Sequence, residues 1–328
     1  MSVRMFLCGK RFSEGMICDY YLTYECNCRC DYCPVWKDAA FDTSIVPSVS
    51  TVEVNLASLK RIGCGEINFT GGEPLLYGEL PAVARMAKER DFFVSLSTNG
   101  LLSSKKLAPA AAFLDRVYVS LDYPSQNEHD IVKAQECFLE ALDTVDIACS
   151  HGIEPVINYA LSRDSIRFLP ELMELAQEKK VKAKLSPVHH CPALEGFERI
   201  SLGYISRYAK DNNTIFDRQL FELLKKGGVD PRRPACRIMD NLITISPDDH
   251  LVLPCIWAGQ AAIPINGDLE NLMTSDIVKG YRRLQGTFDV CRGCLEEKSL
   301  DRSFGGKVRS LDLPGKARRA VFSFMRGE

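Results

Sequence analysis

The sequence lacks any run of about 18 apolar residues, the length that a helix needs to cross a bilayer. Its first ten residues are also too weakly apolar for a secretion signal. Neither sign of charge dominates, since 41 Lys and Arg stand against 43 Asp and Glu and the net charge is −2. The chain therefore has no overall basic field of the kind that nucleic-acid binding requires. These absences predict a cytoplasmic protein with no nucleic-acid partner.

Cysteine, in contrast, is abundant, with 14 copies in 328 residues. A reducing compartment disfavours disulfides, so the expected uses of these thiols are metal ligation and free side chains. Half of them fall into two groups that have the spacing of metal ligands. We expect the others to be buried free thiols: Cys8, Cys18, Cys28, Cys64, Cys137, Cys149 and Cys191.

Short apolar runs of strand type alternate with helical stretches between residues 17 and 187, which is the pattern of parallel β/α units. Six units predict an α/β fold, a partial (β/α)6 TIM-like barrel that is not fully closed. In such a barrel the chemistry lies on the loops that follow the strands. The predicted strands are 18–24, 66–70, 93–98, 116–121, 155–160 and 181–185, with predicted helices at 80–90, 138–150 and 169–179.

The local composition of the chain changes after residue 226, where Gly227-Gly228 and two prolines precede Cys236. Such residues interrupt helices and strands, so we place a domain boundary there. Beyond that point 242–255 has the pattern of a β-hairpin and 274–284 that of a helix. The basic tail is either a membrane-contacting amphipathic segment or, as we favour, a solvated helix docked on its own domain. The predicted division is an N-terminal segment 1–15, a core domain 16–226, a small C-terminal β-hairpin plus helix iron-sulfur domain 231–297 and the tail 298–328.

Cys26, Cys30 and Cys33 follow the first predicted strand directly, in the spacing C-x3-C-x2-C. Three thiolates hold three irons of a 4Fe-4S cluster and leave the fourth iron an open position. Zinc sites usually use C-x2-C pairs with a further Cys or His nearby, and this loop contains no His. The spacing therefore favours iron-sulfur over zinc. Cys28 competes within the loop but breaks the spacing, so we expect it to be unligated.

With Tyr32 just before its last cysteine, this loop resembles the motif of the radical S-adenosylmethionine (SAM) superfamily. The resemblance runs from residue 17 to about residue 187. It implies that the open iron chelates the amino and carboxylate groups of SAM, and that the reduced cluster cleaves SAM to a 5′-deoxyadenosyl radical. It also implies an electron donor such as flavodoxin or ferredoxin.

Further candidate cofactor-binding residues stand where later predicted strands end. Gly71 and Gly72 let the backbone approach a ligand closely, and the Glu73 carboxylate can accept a hydrogen bond from an ammonium group. By resemblance, Gly71 to Pro74 line the SAM amino group, and Ser120 and Asp122, which point to the same side of their strand, contact the ribose. Asn158 and Arg163 are candidate contacts to the carboxylate or ribose, and Thr98 is equally consistent with an ordinary turn. The complete predicted set is Tyr32, Gly71, Gly72, Glu73, Pro74, Thr98, Asn99, Ser120, Asp122, Asn158 and Arg163.

A second group of cysteines lies in the C-terminal part: Cys236, Cys255, Cys291 and Cys294. Four thiolates are a complete ligand set for a tetrahedral zinc or for a second 4Fe-4S cluster, and spacing does not decide between them. The pattern resembles the twitch domain, a shortened form of the SPASM domain. This resemblance implies an auxiliary 4Fe-4S cluster that accepts an electron from the substrate radical or stabilises the fold. We favour iron-sulfur on that context.

His189, His190 and Cys191 follow the sixth predicted strand and are the candidate catalytic residues. They either line the substrate pocket and relay a proton, or form ordinary polar surface on a loop.

Together these features predict a radical SAM oxidoreductase that abstracts hydrogen from an unactivated C–H bond of a small molecule or pigment. Net oxidation is expected, as dehydrogenation or methyl hydroxylation, with a tetrapyrrole side chain as one possible target. One alternative is a peptide-modifying maturase. A second alternative is a non-catalytic iron-sulfur electron carrier, which would have no use for the Gly71 to Pro74 segment.

Overall fold

The computed structural model describes residues 16–188, 199–208, 213–216 and 218–296. Its centre is one ten-stranded sheet with the strand order β10-β9-β8-β1-β2-β3-β4-β5-β6-β7. The strands are β1 (Met16–Thr23), β2 (Cys64–Gly71), β3 (Phe93–Thr98), β4 (Arg116–Ser120), β5 (Glu154–Leu161), β6 (Lys182–Pro187), β7 (Thr214–Ile215), β8 (Leu242–Ile245), β9 (His250–Leu253) and β10 (Ala261–Pro264).

Strands β1 to β7 pair in parallel and in chain order. This confirms the predicted α/β fold with a parallel sheet. The six predicted strands correspond to β1 to β6, with ends that differ by at most two residues. In the described part of the chain β7 and β10 lie at the two edges, so the strand order is open.

The helices lie mainly in the connections between parallel strands. Ser48 begins the first of them by accepting a hydrogen bond from the Thr51 backbone N–H. The predicted helix at 274–284 corresponds to Asp276–Leu284, which begins after Ser275 because the Ser275 side chain caps it by accepting a hydrogen bond from the Val278 N–H. The helices are α1 (Val49–Arg61), α2 (Leu80–Glu89), α3 (Ser103–Lys106), α4 (Ala108–Ala111), α5 (Gln126–Lys133), α6 (Phe138–Ser150), α7 (Leu169–Glu178), α8 (Arg199–Tyr208), α9 (Arg218–Lys225), α10 (Ile238–Asn241), α11 (Leu269–Thr274) and α12 (Asp276–Leu284).

The two faces of the sheet differ in polarity. Tyr20, Phe69 and Leu96 occupy neighbouring positions of β1, β2 and β3 and are fully buried in the apolar core. On the adjacent rows Asn68 donates a hydrogen bond to Asp19 at 2.9 Å and accepts one from Ser97 at 3.0 Å. Alternation along the strands therefore separates an apolar face from a polar one.

The predicted hairpin at 242–255 is present as β8 and β9, which pair antiparallel. Its first strand also pairs in parallel with β1, from Ile17 opposite Leu242 to Tyr20 opposite Ile245. This pairing satisfies the backbone groups on the β1 edge that β2 does not reach. The hairpin thus extends the main sheet, where the sequence suggested a small sheet of its own.

Several predictions concern residues outside the described ranges. These are the N-terminal segment 1–15, the basic tail 298–328 and the His189-His190-Cys191 candidates. Among the described helices, none combines the length and the apolar character that crossing a membrane requires.

Candidate metal centre and cofactor site

The three cysteines of the first group share one loop at the end of β1. Cys26, Cys30 and Cys33 are all partly accessible, and the Cys33 N–H donates to the Cys30 carbonyl at 3.1 Å. Their thiols lie close enough to interact electrostatically with one another. In the ranges described, no three His, Cys, Asp or Glu side chains form a site for a single metal ion. A 4Fe-4S cluster does not need such convergence, because each thiolate binds a different iron.

The protein environment favours the protonated form of these thiols. A hydrogen bond with Cys28, together with burial, holds the pKa of Cys26 well above its ordinary value. Burial raises the pKa of Cys30 to about 11 and also raises that of Cys33. Thiolates are the form that binds iron, so occupation of this loop by a cluster must release protons. The three thiols and their grouping fit a cluster that uses three protein ligands.

Gly71 and Gly72 bring the end of β2 against the start of the cysteine loop. A Cβ at either position would lie 2.1 Å from a backbone carbonyl oxygen, that of Thr23 for Gly71 and that of Glu25 for Gly72. The Gly72 N–H donates to Thr23 and the Glu73 N–H to Glu25, both at 2.8 Å. The close approach that two glycines allow is thus made to the cysteine loop itself.

Glu73 is fully buried and joins the ends of β2 and β3. Its carboxylate accepts hydrogen bonds from the Thr98 hydroxyl at 2.7 Å and from the N–H groups of Asn99 at 2.8 Å and Leu75 at 3.0 Å. Burial raises the pKa of Glu73 in spite of these donors. The predicted role of this carboxylate toward an ammonium group stays a prediction, since its described contacts are with the protein.

Asn99 connects this region to a candidate iron ligand. Its side-chain amide donates to Asn27 Oδ1 at 2.7 Å and approaches Cys26 Sγ at 3.8 Å. Hydrogen bonds to cluster sulfurs influence the reduction potential of a cluster. Asn99, predicted as a cofactor contact, therefore lies beside Cys26.

Asp122 lies just after β4 and is buried beside the cysteine loop. Its Oδ2 pairs with Lys133 Nζ at 2.8 Å and accepts a hydrogen bond from the Tyr32 hydroxyl at 2.7 Å. Its Oδ1 is buried and has no hydrogen-bond partner among the described residues. Lys133 escaped sequence reasoning because a lysine at the end of a short helix carries no motif, and its contact with Tyr32 spans 101 residues.

The other predicted cofactor residues lie along the same end of the sheet. Ser120 stands opposite Asn158 in the β4–β5 register, and Asn158 accepts a hydrogen bond from Ser186 at 2.7 Å. Arg163 is exposed in the loop after β5. The structure thus groups Ser120 and Asn158, while Arg163 projects to solvent.

The second group of cysteines also comes together. Cys236 lies within electrostatic range of Cys255 and Cys291, and Cys294 lies within electrostatic range of Cys236 and Cys255. Burial raises the pKa of Cys236 to about 12 and that of Cys255 to about 11.

Glycines allow the close packing around this second group. A Cβ on Gly286 would lie 2.6 Å from Cys236 Cβ, and one on Gly228 would lie 2.3 Å from the Gly293 carbonyl oxygen. The loop that precedes Cys236 and the loop that carries Cys294 therefore pack backbone to backbone.

Tyr21 on β1 interacts electrostatically with Cys33 of the first group and with Glu296. Burial raises the pKa of its phenol, with further contributions from Asp19, from Glu296 and from Cys33 of the first group. Glu296 in turn interacts with Cys255 of the second group and accepts a hydrogen bond from Trp257 at 3.1 Å. No sequence pattern pointed to Tyr21, because its position depends on the pairing of β1 with β8.

Comparison with known proteins identifies the domain. Residues 20–176 match the family model of the Radical SAM superfamily. Fe-coproporphyrin III synthase of Methanosarcina barkeri is 27% identical over 163 residues, which is 49% of this chain and 40% of that protein. This chain therefore matches well under half of the length of that curated relative.

Two solved structures share the fold. Streptococcus suis SuiB bound to S-adenosylmethionine has a TM-score of 0.64 at 16% identity, and the match covers 81% of this chain and 65% of SuiB. The structure of anSMEcpe with bound AdoMet also has a TM-score of 0.64, at 15% identity, with 84% of each chain covered. The cysteine loop lies within the segment 20–176 that matches the Radical SAM superfamily, and the fold is the one that these two solved structures share.

Proposed function

We propose that this protein is a radical SAM enzyme that uses a 4Fe-4S cluster on Cys26, Cys30 and Cys33 to cleave SAM and oxidise a small-molecule or pigment substrate. The observation that carries the proposal is the cysteine loop, held by backbone hydrogen bonds from Gly72 and Glu73 at the end of β2. When bound, the cluster supplies the electron that cleaves SAM to methionine and a 5′-deoxyadenosyl radical, which abstracts hydrogen from the substrate.

The residues around the loop have separate roles in this proposal. The three cysteines hold the cluster and leave one iron open for SAM. Gly71 to Pro74 line the amino group of SAM, and Ser120 and Asp122 contact its ribose. The unpartnered Oδ1 of Asp122 supports the latter role, because a buried carboxylate oxygen without a donor is costly.

Net oxidation is supported by the second group of thiols. Four cysteines that interact electrostatically form a complete ligand set for an auxiliary 4Fe-4S cluster. Tyr21 interacts electrostatically with Cys33 of the first group and with Glu296, and Glu296 interacts with Cys255 of the second group. An auxiliary cluster there would accept the electron that the substrate radical must lose. Structural zinc is the competing occupant, although in the described part of the chain no three of these thiols converge on a single-ion site.

A tetrapyrrole is our first choice of substrate. The name of the relative from Methanosarcina barkeri refers to an iron-coproporphyrin product, and its match covers half of this chain. The solved structures include SuiB bound to the precursor peptide SuiA. At 16% identity, the similarity to SuiB concerns the fold and is not evidence for a peptide substrate. A peptide-modifying maturase is therefore kept as the alternative to a tetrapyrrole-modifying enzyme.

The decisive experiment is anaerobic. Reconstituted protein with dithionite and SAM is expected to release 5′-deoxyadenosine, measured by liquid chromatography. Cys26→Ala should abolish the release because it removes a ligand of the first cluster. Cys255→Ala should still release 5′-deoxyadenosine, since cleavage needs only the first cluster.

Cys149→Ala is the matched control, because Cys149 is an exposed thiol of α6 and belongs to neither group. It should behave as the wild type. Absence of 5′-deoxyadenosine from wild-type protein with a full complement of iron would contradict the enzyme proposal and favour the electron carrier.

A further inference from the structure

Lys133, Asp122 and Tyr32 form a closed triangle of polar contacts beside the cysteine loop. Lys133 Nζ lies 2.8 Å from Asp122 Oδ2, and both side chains are only 2% exposed. The Tyr32 hydroxyl donates to the same Oδ2 at 2.7 Å and accepts from Lys133 Nζ at 3.2 Å. The triangle therefore joins the cysteine loop, the end of β4 and the last residue of α5.

A buried ion pair of this kind is weak evidence for a purely stabilising role. Removing two charges from water costs several kcal/mol per ion, and apolar residues of similar volume often stabilise a protein at least as well. Such a pair acts favourably only when its geometry is fixed by further hydrogen bonds. Here Tyr32 makes hydrogen bonds to both members of the pair, so the orientation of the Asp122 carboxylate is fixed.

The backbone of α5 is attached to the same loop. The last carbonyls of a helix have no partner within the helix. In α5 the carbonyl of Lys133 accepts from the Arg29 N–H at 2.9 Å, and that of Val132 accepts from the Asp31 N–H at 3.2 Å. Arg29 and Asp31 flank Cys30, so the end of α5 packs against the segment between the outer two ligands.

The remaining oxygen of Asp122 is available. Oδ2 already has two donors, whereas Oδ1 is buried without one. Asp122 is held on its backbone side as well, because its N–H donates to His129 Nδ1 at 3.1 Å. A hydroxyl group that donates to Oδ1 would satisfy its remaining hydrogen-bonding capacity.

We infer that Lys133 and Tyr32 are positioning residues that fix Asp122 for a hydrogen bond from a ribose hydroxyl of SAM and link that contact to the cysteine loop. The inference rests on the proposed function, in which Asp122 binds the cofactor. It adds Lys133 to the site and gives the hydroxyl of Tyr32, already a candidate cofactor residue, a role that acts through Asp122.

The test compares SAM binding to anaerobically reconstituted wild-type protein with that of K133M and Y32F. Each variant removes a donor to Asp122, and the loss of a hydrogen bond to a charged group predicts a Kd increase of about tenfold or more. The second readout is the change that SAM causes in the electron paramagnetic resonance spectrum of the reduced cluster. We expect that change to be smaller in both variants at the same SAM concentration.

K88M is the matched control. Lys88 forms an ion pair with the buried Asp115, which precedes β4 and so lies at the opposite end of that strand from Asp122. Its loss should lower stability and leave the Kd for SAM unchanged.

The outcomes separate the inference from the proposed function. Weaker SAM binding in Y32F, with wild-type iron content and an unchanged K88M, supports the inference even if K133M fails to assemble a cluster. Wild-type affinity in Y32F, or in a cluster-loaded K133M, overturns it and leaves the proposed function intact. Failure of the wild type to bind SAM overturns both.

Discussion

Single residues near the cysteine loop are mostly engaged with other parts of the protein. Glu73 accepts three hydrogen bonds and Asn99 contacts both Asn27 and Cys26. Their residue types and positions after strands were predictable, because polar groups at the ends of parallel strands indicate a site. Their partners were not, because hydrogen bonds between distant segments depend on register and burial.

His129 gives a prediction for the pH dependence of stability. Burial, with the positive charge of Lys133 as the next cause, lowers the pKa of this fully buried histidine from 6.5 to about 4. Between these values the unfolded chain binds a proton that the folded chain does not, so stability is lost as pH falls through this window. The expected contribution is about 3 kcal/mol.

Urea unfolding across that pH range tests the prediction. In His129→Asn the side-chain oxygen can still accept from the Asp122 N–H, but the titrating group is gone. The variant should therefore lose less stability on acidification than the wild type, whatever its stability at neutral pH. Parallel pH profiles for the two proteins would contradict the assignment.

At the scale of elements, the end of β2 and the cysteine loop form one packed unit. Sequence periodicity predicted β1 to β6 well, since each is a short apolar run between polar loops. It did not predict that α5 ends against the loop, because α5 is short and mostly polar. The short helix α11, which ends where the predicted helix begins, was also not predicted, and the extended backbone of Ser275 separates it from α12.

Gly72→Ala is expected to prevent assembly of the first cluster. The added methyl would lie 2.1 Å from the Glu25 carbonyl oxygen and so would displace the loop just before Cys26. The expected result is loss of about four irons per chain and of SAM cleavage, measured by iron analysis and 5′-deoxyadenosine release.

Gly78→Ala provides the control for this substitution. Gly78 lies shortly beyond the same segment, and a Cβ there meets nothing within 4 Å. It should retain wild-type iron content. A wild-type iron content in Gly72→Ala would contradict the prediction, because it would show that the cysteine loop tolerates displacement by the added methyl group.

At the scale of the molecule, the main sheet carries both groups of cysteines. The spacing in the sequence predicted each group separately, but the relation between them depends on β8, which pairs with β1 across more than 200 residues. Local patterns contain no information on such a pairing.

Metal analysis of the whole protein tests the second group. Two clusters predict about eight irons per chain, and Cys236→Ala should reduce this to about four. The remaining iron should still support SAM cleavage. About four irons and one zinc in the wild type would instead assign the second group to structural zinc.

The pairing of β8 with β1 also bears on how the chain could be divided. In a protein shortened to end near residue 226, β1 would become an edge strand and would expose its backbone from Ile17 to Tyr20. Exposed strand edges recruit other strands, so such a fragment would tend to self-associate. The strand that leads into the cysteine loop is thus protected from aggregation by the segment that carries the second group of thiols.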